Sequence, residues 1–157
     1  MRKSMTILLG TALSIGGVMA NPAYAAASAA AVTPERVCGS GFARVANSKQ
    51  AVRTPSKRTL GHVYLLYNRK TGYNCVVTIK TTNIGTPTFT MATITTQTHG
   101  TNPRTGGENE GRSVKHYLGP VKTYGKGRCV SYMGRIKDAG RNAAEGKSRW
   151  KDWGNCR

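Results

Sequence analysis

Residues 61–82, GHVYLLYNRKTGYNCVVTIKTT, constrain the fold more than any other stretch of the chain. Two runs rich in β-branched and aromatic residues flank Asn68-Arg69-Lys70-Thr71-Gly72, a short glycine-containing loop. Val63, Leu65 and Tyr67 alternate onto one face of the first run; Cys75, Val77 and Ile79 do the same on the second. The stretch therefore predicts a β-hairpin that walls a core, with one cysteine set in that wall.

Residues 1–25 have the layout of a secretory signal. Arg2 and Lys3 give the positive start, residues 5–20 are mostly apolar and free of charge, and Ala23-Tyr24-Ala25 is a small-x-small cleavage site. A cut after Ala20 is the alternative, with Pro22 just beyond it. The apolar run is too short and too rich in Gly, Ala, Ser and Thr to span a bilayer. Residues 26–36 read as a flexible Ala-rich leader, and residues 37–157 as a single domain of a size that needs only one core.

Cys38, Cys75, Cys129 and Cys156 all follow the leader. Four cysteines in an exported chain predict two disulfides, with three possible connectivities. Position favours Cys38–Cys75, pinning the N-terminal segment to the hairpin, and Cys129–Cys156, tying the C-terminal tail to the strand near Val130. Each closed loop contributes about 4 kcal/mol by chain-entropy arithmetic. A structural zinc site is the competing reading, but there is no C-x-x-C pair and the histidines are scattered, so no metal or other cofactor is expected.

Lysine and arginine number 24 against 6 acids, a formal charge of +18. An excess this large draws a protein onto anionic polymers by long-range attraction and counterion release. The candidate contacts are Arg69, Lys70, Lys122, Lys126, Arg128, Arg135, Lys137, Lys147, Arg149 and Lys151, with Trp150 able to stack on a sugar or base. General solubility is the plainer account of the same charge.

Further strands are expected near Phe42, over residues 88–97 with Phe89 and Met91 on one side, over 113–118 interrupted at Gly119-Pro120, over 121–124 and over 128–136. Residues 81–105 hold eleven threonines, which suit a solvated strand face. Residues 48–59 are polar and basic and predict a loop with some edge pairing. Residues 100–111, GTNPRTGGENEG, predict a mobile loop. Residues 142–145 suit one helical turn, and no long amphipathic helix is present. Short strands between Gly/Pro turns make a small all-β fold, an antiparallel sandwich or barrel stapled by disulfides.

No set of residues specifies a reaction. His116 with Glu108 or Glu110 and Arg112 is the nearest approach to a ribonuclease, in which a carboxylate and an imidazole exchange protons beside a cation. Those acids fall in the predicted loop, so plain surface histidines are favoured. There is no nucleophile elbow, and an even cysteine count argues against a reactive thiol. Trp153, three residues before Cys156, is expected to pack over its disulfide.

Cys38-Gly39-Ser40-Gly41-Phe42, Val63-Tyr64-Leu65-Leu66-Tyr67-Asn68, Gly72-Tyr73-Asn74-Cys75-Val76-Val77-Thr78, Gly119-Pro120-Val121, Cys129-Val130 with Tyr132 and Gly134, and the Trp153-to-Cys156 end stand in an order that resembles the spore-associated protein A family of actinomycetes. The resemblance covers about residues 38–156. It implies an exported protein of the cell or spore surface and carries over no catalytic residue. The expectation is a monomeric, non-catalytic secreted protein, retained at the surface by an anionic cell-envelope polymer or extracellular nucleic acid. The rivals are a small secreted hydrolase and an inhibitor of exported proteases with Pro103-Arg104-Thr105 as bait.

Overall fold

The hairpin forms where alternation places it. In the computed structural model, which describes residues 32–98 and 106–148, β3 (Thr59–Asn68) pairs antiparallel with β4 (Tyr73–Lys80) from Gly61↔Lys80 to Asn68↔Tyr73. The Asn68 side-chain oxygen accepts from the Lys70 and Thr71 amides, and Gly72 turns back at φ 75°. That geometry suits Asn and Gly at the two ends of the loop.

Both faces of this hairpin are buried, which alternation on one side does not anticipate. Val63, Leu65 and Val76 point into the main core with Val52, Leu60, Ile94, Leu118, Val130 and Ile136. Leu66, Cys75 and Val77 point the other way, into a smaller outer cluster with Cys38. Cys75 thus belongs to the outside of the wall. What covers it is α1 (Pro34–Cys38), a single turn in residues where the sequence suggests the end of a leader. Thr33 caps it by accepting from the Arg36 amide, Pro34 occupies the first turn, and Gly39 ends it at φ 95°. The Cys38–Cys75 disulfide, with Cα atoms 6.1 Å apart, fastens the turn to β4. Cys129 is disulfide-bonded as well; Cys156, its expected partner, lies outside the described residues.

Around the hairpin the described strands make one antiparallel sheet. They are β1 (Ala43–Arg44), β2 (Gln50–Arg53), β5 (Thr88–Thr98), β6 (Gly106–Val114), β7 (Tyr117–Tyr124), β8 (Arg128–Lys137) and β9 (Ala143–Lys147), in the order β6-β5-β8-β9-β2-β3-β4-β7 with β1 added to β3. The end strands β6 and β7 follow each other through residues 115–116 and lie against one another, so the sheet curls into a nearly closed barrel. Of the two all-β forms open to the sequence, it is the barrel.

Several local expectations are corrected. Residues 106–111 are strand, because Gly106 to Val114 pair in unbroken register with Thr96 to Thr88; ladder bonds override weak intrinsic preference. Residues 143–147 are strand, paired with Met133 to Lys137, where a helical turn fits the local composition. Residues 50–53 form β2, which sits between β9 and β3. On β5 it is Phe89 and Met91 that face outward; Thr88, Thr90 and Thr96 are buried inside. Gly119-Pro120 does mark an irregular edge: the peptide is cis and the register with β4 shifts between Val76 and Thr78.

Candidate functional site

The two ends of the barrel differ in chemistry. At one, Lys80 points inward at 3% exposure and its ammonium donates to the carbonyls of Thr86 (2.7 Å) and Val114 (3.1 Å). Burial lowers its pKa, since the charged form loses water. This end is plugged.

At the other end the β3–β4 and β7–β8 turns meet: the Gly125 amide donates to Gly72 O at 3.0 Å, and Lys126 packs beside Gly72. Among the described residues a cavity of about 260 Å³ opens here. Tyr67, Val45 and Val130 give it apolar walls, Asn74 a buried amide, and Arg69 and Arg128 stand at its edge. Among the described residues no acid lines it. Arg44 also borders the cavity, but Glu35 holds its guanidinium at 2.8 Å and the group lies over the Tyr64 ring. Just outside, Tyr73 and Tyr124 are each 44% exposed and meet edge to face, ring centres 5.7 Å apart.

The basic residues singled out in the sequence divide accordingly. Arg69, Lys70, Lys126 and Arg128 gather on the turns of the open end, with Lys122 nearby on β7, its ammonium 4.8 Å from the Phe42 ring. Lys147 lies on β9 opposite Met133. Arg135 and Lys137 belong to the plugged end, with Lys137 about 30 Å from Arg128 at nine residues of strand. Arg135 is ion-paired with Glu145, and Lys137 sits over Phe89. Arg149, Trp150 and Lys151 lie outside the described residues, as do Trp153 and the Pro103-Arg104-Thr105 loop.

Four ion pairs occur among the described residues: Glu35–Arg44, Asp138–Arg58, Glu110–Arg112 and Glu145–Arg135. Most of the described lysines and arginines therefore stand outside any ion pair with another described residue. A second depression, over Lys49, Arg53 and His62 on the outside of β2 and β3, is basic too. The nuclease-like set does not assemble. Glu108 is exposed on β6, Glu110 is held by Arg112, and His116 lies in the following turn, past the roughly 13 Å of strand from Glu110 to Val114.

Asn74, Tyr67 and the two exposed tyrosines escape a sequence reading, because side-chain parity alone does not say which end of a barrel stays open. The available signal is a polar residue at an inward position near each end of β4, Asn74 at one and Lys80 at the other.

No family model and no solved structure matches the chain. Spore-associated protein A of Streptomyces coelicolor is 36% identical over 150 residues, covering 90% of this chain and 89% of that protein. With more than a third of positions shared along nearly the whole of both, the chain belongs to the spore-associated protein A family.

Proposed function

We propose that this is an exported protein of the spore or cell surface, without catalysis, that holds to an anionic polymer through the open end of its barrel. The observation that carries the reading is the grouping there of Arg69, Lys70, Lys126 and Arg128, none of them ion-paired to a described residue, beside the exposed Tyr73 and Tyr124. Cations track a phosphate or carboxylate chain and aromatic faces stack on its rings. The formal charge of +18 supports the same partner class, an envelope polymer or extracellular nucleic acid. The name of the relative supports a place on the spore, and the layout of residues 1–25 supports export. No helix among the described residues is long and apolar enough to cross a membrane.

Retention on heparin and DNA resins across a salt series tests it. The protein is expected to elute well above physiological salt; elution at about 0.1 M, together with a neutral protein of equal size, removes the polymer from the reading.

A further inference from the structure

Asn74 is 3% exposed, yet its side-chain Nδ2 donates to no group among the described residues. It sits on the inner face of β4, opposite Tyr67 on β3 and Thr123 on β7. An unpaired buried amide costs about 1–3 kcal/mol, so a donor kept in that condition calls for an acceptor from outside. Gly125 packs directly on this amide: a Cβ there would lie 2.2 Å from Asn74 Nδ2 and push the side chain aside. The cavity that Asn74 lines, about 260 Å³, is just below the range of about 300–1,000 Å³ that houses drug-sized ligands. It has room for one ring, not for a length of chain. Among the described residues the charged side chains at this cavity are all cationic, with Arg69 and Arg128 at its edge, and Asn74 adds an amide donor within.

We propose that this cavity binds a single acidic sugar unit, a ring carrying a carboxylate or a phosphate. The ring rests against Tyr67 and Val130, the Asn74 side chain turns out from beneath Gly125 to donate Nδ2 to one of its oxygens, and the anionic group lies between Arg69 and Arg128. This rests on the polymer reading and deepens it: the charged end attracts the polymer, and the cavity selects one of its units.

The test is a ¹⁵N-correlation titration of the full chain with glucuronic acid, glucose 6-phosphate, glucose and inorganic phosphate. The Asn74 side-chain resonances are expected to move saturably with one of the two acidic sugars, and which of them does so distinguishes a uronate from a sugar phosphate. Glucose and inorganic phosphate should bind about tenfold more weakly or worse, a difference of about 1.4 kcal/mol. Gly125→Ala, which removes no charge, should lose about tenfold in affinity for that sugar while eluting from heparin at the wild-type salt. Resonances that stay put in a protein still retained on heparin overturn the cavity alone. So does an equal response to inorganic phosphate, which marks an adventitious ion only. A protein that heparin does not retain overturns the polymer reading beneath it. The wild-type titration decides the matter even where Gly125→Ala fails to fold.

Discussion

Gly61 shows how little space the barrel leaves inside. A Cβ there would lie 2.3 Å from the Ile79 carbonyl oxygen and 2.5 Å from Ile136 Cδ1. A ladder oxygen cannot retreat as a side chain can, so Gly61→Ala is expected to lower stability by about 1–3 kcal/mol, read as a lower urea midpoint at unchanged slope. His62 is pH-sensitive in a defined direction. Burial, then the charges of Lys49 and Arg53, holds its pKa below 6.5. The unfolded chain therefore takes up this proton first as pH falls. Stability from the neutral ring is complete above 6.5 and drains away toward the lower folded pKa. Thermal midpoints measured from neutral pH downward should drop in that window, and His62→Gln should flatten the drop. At this scale the sequence is only partly legible. Alternation marks Val63 and Leu65 as core, but it cannot show that the far side of the same strand, at Leu66, is covered by a distant turn.

Elements are legible where composition and pairing agree. β3, β4, β7 and β8 carry Val, Ile, Tyr or Leu at inward positions and stand out. β6 and β9 do not, because glycine, glutamate and alanine have weak strand preference. They are strands because strongly specified neighbours, β5 and β8, offer them a ladder. A local device helps β9. The Asp138 carboxylate accepts from the Asn142 side chain, from its backbone amide at 2.8 Å and from Arg58, which together lower the Asp138 pKa. Asp138→Ala should therefore speed amide exchange at Ala144 and Gly146 while leaving β3 and β4 protected; uniform exchange across the barrel would refute that local role. α1 depends on a different tie. Removing the 37-residue Cys38–Cys75 loop closure, by replacing both cysteines with serine, should cost about 4 kcal/mol in urea unfolding and loosen α1 before the strands.

For the whole molecule, what counts is where the charge collects. Composition shows the excess of Lys and Arg, but only the closed topology sorts Arg69 and Lys126 to one end and Arg135 to the other. If attachment runs through the open end, Arg69→Ala, Lys70→Ala and Lys126→Ala combined should reduce the salt slope of binding by roughly 2, at about 0.7–0.9 for each phosphate no longer neutralised. Arg135→Ala with Lys137→Ala should leave the slope nearly unchanged, and an equal reduction from the triple and the double variant would mean that the field acts without an address. The Lys80 plug gives this asymmetry a material consequence. Molecules gripping a support by their open end would all stand the same way up, like tiles laid glaze outward. A layer built from them would then show its surroundings a face chemically unlike the one it glues down, its polarity set by strand order alone.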